Sequence, residues 1–339
     1  MVKLIPIFLL VGMLAVSGWA EDAKPEPYSP ELVKKAEAGD AKAQFVLGGR
    51  YFFGKGVTHD YKEAVKWYTK SAEQGNASAQ RDLGWCYEDG KGVTQDYKEA
   101  VKWLTKSAEQ GNAIAQSSLG WCYYQGKVVP QDYKEAVKWH KKSAEQGVSA
   151  AQYALGDYYA KGQGVPQDYK EAVRWYTKSA NQDDPRGQIR LGDSYYNGQG
   201  VPQDYKEAVK WYRKARTSPS QYKLGLCYEN GNGVTKDEKE ALKWYTKAAE
   251  QGDADAQYNL GDCYWTGNGV TKDHSDAVKW YTKSAEQGNA KAQYSLGSCY
   301  YESKGVTQDY KEAVKWYTKS AEQGNADAKE ALEKIKAKQ

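Results

Sequence analysis

Few residues in this 339-residue chain have the type and spacing to do chemistry. Ser220-Gln-Tyr-Lys223 has the Ser-x-x-Lys spacing of an acyl-transfer nucleophile, but no Lys-Thr-Gly or Ser-Asp-Asn segment accompanies it, and its serine falls at an irregular junction. Loops of the form Gly-x-Gly-Val invite a phosphate-cradling reading, yet they follow helices rather than strands and no Gly-Lys-Ser/Thr comes after them. His59, His140 and His274 each replace a Gln or Tyr used elsewhere, at three unrelated positions, so they form no metal constellation. Acidic residues abound, but the recurring ones read as helix caps or surface charges, and no pair stands out as acid and base. We assign no catalytic residue, no metal ligand and no cofactor.

The elements that position these residues recur. The segment Asp96-Tyr-Lys-Glu-Ala-Val-Lys-Trp-Leu-Thr-Lys-Ser-Ala-Glu-Gln-Gly111 has close copies beginning at Asp60, Asp132, Asp168, Asp204, Asp237, Asp273 and Asp309. Its tryptophan returns every 36 residues, except that three residues are missing between Trp211 and Trp244. Such a period marks a solenoid, in which no unit buries its own apolar face and each stacks on its neighbours. Within one unit, Asn76 caps a helix A over about 77–89, glycines 90 and 92 break it, and Asp96 caps a helix B with the buried stripe Ala100, Trp103, Leu104 and Ser107/Ala108. Glu99, three residues after Asp96, predicts a reciprocal capping box in each repeat. Gly84 and its seven counterparts inside helix A imply close helix approach, because glycine there costs about 1 kcal/mol relative to alanine.

The predicted organisation is a signal peptide over 1–20, a linker over 21–28, an amino-terminal capping helix over 29–40, eight repeats over 41–325 and a carboxy-terminal capping helix over 326–339. Met1-Val-Lys3, the apolar run Leu4 to Val16 and the small residues of Gly18-Trp-Ala20 read as a secretory leader, so the chain is expected to be exported, periplasmic or secreted, without stable membrane insertion after cleavage. Lys and Arg (48) nearly balance Asp and Glu (44), with the signs interleaved, which excludes a basic stripe for nucleic acid. Cys86, Cys122, Cys227, Cys263 and Cys299 share one repeat position, and equivalent helices about 8–10 Å apart are too distant for a disulfide, so five free thiols are expected. Val128 replaces a second turn glycine and Ser303 a first one, and the junctions 181–187 and 215–220 are irregular.

Helix B is nearly the same in every unit, whereas helix A varies two positions before its leucine, one before, and two, five and six after, offsets that share one face. On that face lie Arg81, Asp82, Trp85, Glu88, Trp121, Tyr124, Tyr153, Asp157, Asp193, Tyr258, Asp262, Trp265 and Tyr301. Aromatics among charges resemble an interface more than a folding requirement. Arg186, Arg190 and Asp193, at i, i+4 and i+7, could fork onto a carboxylate or acidic peptide.

The recurring Ala-x-Ala-Gln-x-x-Leu-Gly-x-x-Tyr-x-x-Gly-x-Gly-Val-x-x-Asp-Tyr-x-x-Ala-x-x-Trp-Tyr resembles the Sel-one-like repeat family, a relative of the tetratricopeptide solenoids. Ala256, Gln257, Leu260, Gly261, Tyr264, Gly267, Gly269, Val270, Asp273, Ala277, Trp280, Tyr281 and Gly288 fall on the pattern. The resemblance implies an all-α, right-handed superhelical α/α solenoid and a role as a scaffold or adaptor for other proteins. Some exported members of the family carry a penicillin-binding or β-lactamase label with disulfides inside each repeat, but here the cysteines sit once per repeat at a different place. The leading expectation is an exported, non-enzymatic scaffold that binds a protein, peptide or glycan chain in a concave groove lined by helix A. Two alternatives stand beside it: a β-lactam or peptidoglycan hydrolase, which nitrocefin turnover lost in Ser220→Ala would reveal, and a structural spacer.

Overall fold

The computed structural model describes residues 27–337, so the expected leader and most of the expected linker lie outside the described residues. Among these residues there are eighteen helices and no strand. They fall into two compact units, the first ending at Gln182 and the second beginning at Asp183, within the first irregular junction. The first unit contains α1 (Pro30–Glu37), α2 (Ala41–Phe53), α3 (Tyr61–Glu73), α4 (Ala77–Asp89), α5 (Tyr97–Glu109), α6 (Ala113–Gln125), α7 (Tyr133–Glu145), α8 (Ser149–Lys161) and α9 (Tyr169–Ala180). The second contains α10 (Pro185–Asn197), α11 (Tyr205–Ala215), α12 (Ser218–Asn230), α13 (Glu238–Glu250), α14 (Ala254–Thr266), α15 (His274–Glu286), α16 (Ala290–Glu302), α17 (Tyr310–Glu322) and α18 (Ala326–Lys336). From α2 to α17, each even-numbered helix is a helix A and the next is its helix B. No described helix is long and apolar enough to cross a membrane.

Local chemistry explains the boundaries. Asn76 accepts from the Ala79 amide at 3.0 Å to start α4, and Gly90 ends it with a left-handed φ of 67°. Asp96 then accepts from the amides of Lys98 and Glu99 to start α5. The predicted reciprocal bond from Glu99 is not made. The turn folds the chain back so that the Asp96 amide donates to the Tyr87 carbonyl at 2.9 Å, and Glu99 pairs with Lys102 instead. The capping box among the described residues is at Thr217 and Ser220.

The core lies between repeats. One buried cluster joins Ala64, Val65, Tyr68 and Ala72 of the first repeat to Ala79, Leu83, Cys86 and Trp103 of the second. Trp103 thus reaches back across the junction, and removing the first repeat would expose it. Gly84 permits this packing: a Cβ there would stand 2.9 Å from Leu104 and 3.2 Å from the Ala100 carbonyl. The second turn glycine does similar work between repeats, since a Cβ on Gly92 would run into the Tyr61 carbonyl at the start of the preceding helix B.

Buried polar side chains stitch the same junctions. Gln80 donates to the Ala72 carbonyl at 3.0 Å, accepts from Gln110 at 2.7 Å, and Ser107 donates to the Ala77 carbonyl at 2.6 Å. Gln257, Gln287 and Ser284 repeat this arrangement in the second unit. Each bond contributes about 1 kcal/mol net, but leaving one of these amides unpaired costs more. At the ends, α1 starts with Ser29 accepting from Leu32 at 3.1 Å and with proline in its first turn. On α18, Glu333 and Lys336 occupy positions that are glycine and tyrosine in the repeats, and both are exposed.

Candidate functional site

The variable face of helix A is tied closely to helix B. The residue two after the helix A leucine meets the residue that follows the helix B tryptophan. Where helix B offers a tyrosine, helix A often offers an oxygen: Tyr176 donates to Asp157 at 2.7 Å, Tyr212 to Asp193 at 2.8 Å, Tyr281 to Asp262 at 2.6 Å and Tyr317 to Ser298 at 3.1 Å. Where helix B offers Leu104 or His140, helix A carries Trp85 or Trp121. Trp121 stands edge-on to His140 with ring centroids 5.1 Å apart, and Trp85 packs on the buried cluster that contains Leu104. In repeat six Leu226 takes this position, and Tyr245 donates instead to Glu229, one turn further along α12, at 2.8 Å.

Each expected site residue therefore has neighbours within the fold. Arg81 is bonded to the buried Asp82 at 2.7 Å and lies 4.9 Å over the Trp85 ring. Tyr124 packs among Trp121, Tyr133 and Tyr158. Tyr153 donates to Asp157 at 3.3 Å, and Lys161 holds the same carboxylate. Arg186 does fork onto a carboxylate, but it is Asp184 of its own helix start, with contacts of 3.0 and 2.7 Å. Asp193 gathers Tyr212, Lys223 at 2.9 Å and Arg190 at 3.9 Å. Tyr258 packs against Tyr281, Trp265 against His274, and Tyr301 stands edge-on to Tyr310. Burial raises the Asp262 carboxyl above its ordinary value even though Tyr281 and Tyr258 donate to it. Sequence reasoning missed Tyr176, Tyr212, Tyr281 and Tyr317. Their signal was the pairing of aspartate or serine on helix A with tyrosine, and of tryptophan with leucine or histidine, on helix B.

The residues with catalytic spacing are committed elsewhere. Ser220 is 0% exposed, donates to the Thr217 carbonyl at 2.9 Å and accepts from the Thr217 amide at 3.0 Å, while Lys223 pairs with Asp193. A serine nucleophile has to meet its substrate, and this hydroxyl is sealed inside a helix cap. The five cysteines are buried and unpaired; burial pushes their thiols up, to about 12 at Cys122, Cys263 and Cys299 and about 11 at Cys227. Among the described residues no group of three or more His, Cys, Asp or Glu is placed to hold a metal ion.

Tandem helix pairs with cores shared between neighbours, and a variable helix A set against a constant helix B, define an α-solenoid of the repeat-scaffold class. The Sel1 repeat pattern matches at residues 41–76, 77–112, 113–148, 149–184, 185–217, 218–253, 254–289 and 290–325, and the chain belongs to the Sel1 repeat family. A protective antigen of uropathogenic Escherichia coli strains, c5321, with an SLR fold, is 41% identical over 90% of this chain, with a TM-score of 0.77. This chain spans 66% of the length of that structure. A Sel1 repeat protein from Oxalobacter formigenes is 36% identical over 90% of this chain and 89% of its own, with a TM-score of 0.70. Among curated proteins nothing matches.

Proposed function

We propose that this chain is an exported, non-enzymatic scaffold that binds a protein or peptide along the variable face of helix A. Sel1 repeat solenoids are in general protein-interaction scaffolds without catalytic activity. The observation that carries the reading is the contrast between the two helices. After the positions explained by helix B are set aside, the residue two before the helix A leucine still ranges over Phe45, Arg81, Ser117, Tyr153, Ile189, Tyr222, Tyr258 and Tyr294. Helix B does not dictate that choice, because repeats with the same helix B tyrosine carry Ile189 in one case and Tyr258 in another. Export rests on the leader-like residues 1–20, and the description of the E. coli relative as a protective antigen supports it.

The test begins with affinity capture from the native cell envelope and identification by mass spectrometry. Calorimetry with the purified partner then compares Tyr258→Ala with Trp103→Ala. Loss of the half-buried Tyr258 should weaken binding more than fivefold, equivalent to about 1 kcal/mol or more. Trp103, buried on helix B, should instead cost about 3–5 kcal/mol of folding free energy. Unchanged affinity in Tyr258→Ala and in a parallel Tyr153→Ala would remove this face as the site.

A further inference from the structure

We infer that the junction of the third and fourth repeats is an acid-sensitive latch, held shut by a buried neutral His140 and opened when that imidazole takes up a proton. His140 is 0% exposed and stands where six other repeats place tyrosine and one places Leu104. Its Nδ1 lies 3.1 Å from both the Ala136 carbonyl and the Tyr158 hydroxyl. Its Nε2 is buried with no partner. A proton added to the neutral ring would create a cation with a donor that has nowhere to donate.

The surroundings do not compensate that charge. From α6 the ring meets Gly120 and the edge of Trp121, and from α8 the neutral phenol of Tyr158. Asp157, the carboxylate that acts on Tyr158, is engaged by Tyr176 and Lys161. On α7 itself, Glu135 and Lys138 are paired with each other. Burial accordingly lowers the imidazole to about 3, from an ordinary value of 6.5. A folded-state value below the unfolded one means that stability is complete above about pH 6.5 and is lost as pH falls towards 3.

The partners vary together. Tyr158 occupies the position of Cys122 one repeat earlier, as His140 occupies that of Leu104, while Trp85 and Trp121 are equivalent. The junction of repeats two and three is thus the same packing without the titratable ring. The third repeat is also lightly fastened: Val128 stands where Gly92 docks on the preceding helix, and Val148 starts α8 without a side-chain cap. Ser117 and Ser118 hydroxyls are buried there without partners. Of these, the missing cap at Val148 lies at the junction with the fourth repeat, where it lowers the cost of opening α8.

The test is hydrogen exchange by mass spectrometry on the full chain at pH 7, 6 and 5, where an exposed imidazole titrates and ordinary carboxylates stay mostly ionised, with rates corrected for intrinsic exchange. No partner is needed, so the result is independent of the binding proposal. The opening constant of peptides within 133–161 should rise roughly 20- to 30-fold from pH 7 to 5, as one proton is taken up, while peptides within 254–325 change little. His140→Leu combined with Tyr158→Cys, which copies the preceding junction, should abolish the rise. Tyr158→Phe, which leaves His140 buried, should keep it. An equal acid response in the double variant, or a response spread evenly over both units, would overturn the inference.

Discussion

If aspartate two residues after the helix A leucine is there because helix B offers a tyrosine hydroxyl, then Asp262 and Tyr281 must behave as one unit. Tyr281→Phe removes a 2.6 Å donor from a carboxylate that burial already disfavours, and leaves the Tyr258 hydroxyl as compensation. A hydrogen bond to a charged group contributes about 1.5–3 kcal/mol, and the remaining donor places the expected loss at the lower end, roughly 1.5–2 kcal/mol. Asp262→Trp alone drives an indole against the Tyr281 ring and should cost about 1–3 kcal/mol by overpacking. Making Asp262→Trp together with Tyr281→Leu installs the pair that repeat two already uses, Trp85 with Leu104, and should recover at least 1.5 kcal/mol of the summed losses of Asp262→Trp and Tyr281→Leu made singly, by the reckoning of a double-mutant cycle. Urea unfolding followed by circular dichroism gives the global values. Hydrogen exchange in 254–289 gives the local ones, which are needed because long arrays do not always unfold in one step. Additivity within about 0.5 kcal/mol would show that the two positions vary independently and would refute the pairing rule.

Three further outcomes are expected. Glu88 is 7% exposed, and burial, with Asp89 beside it, raises its carboxyl to about 8 from 4.5. The folded chain therefore holds a proton that the unfolded chain releases. Stability should fall as pH rises from about 4.5 to 8, by a few kcal/mol at most; Glu88→Gln should flatten that slope in pH-dependent urea midpoints. Ser303 ends α16 with a left-handed φ of 57°, so Ser303→Gly should raise stability by about 0.5–1 kcal/mol, read as a higher urea midpoint at unchanged slope. Thiol titration of the unreduced protein should find five free thiols in denaturant and slow reaction in the folded state, whereas recovery of one would mean that disulfides form.

Much of this fold is legible because its signals are local and repeated. Asn76, Gly90, Asp96 and the tryptophan period place helices to the residue, since caps and glycines act within four positions of themselves. The capping box failed because its outcome depends on where the turn returns: the sequence does not show the Asp96 amide donating to the carbonyl of Tyr87, nine residues before it, rather than to Glu99. The candidate face was legible as variable, but variability has two sources. Asp157, Asp193 and Asp262 answer to a helix B tyrosine 19 residues later, a dependence visible only when two columns of the repeat are read together. The burial of Ser220 was beyond sequence reach, because it follows from a junction shortened by three residues.

In the buried ladder Gln80 and Gln257 each reach back eight residues and are each reached from thirty residues ahead, distances shorter than one repeat. A cut made just before Asn76 and another just before Asn112 would consequently remove one partner of each interrupted bond and bring its counterpart to the new seam, where Gln116 would meet the Ala72 carbonyl in place of that of Ala108. The chain can lose or duplicate a 36-residue unit there without stranding a buried amide, and recombination between its own repeats would yield shorter or longer arrays that still fold. The seam around 215–220 lacks that interchangeability, since a repeat cut there brings a different cap, a different turn and no terminal glutamine.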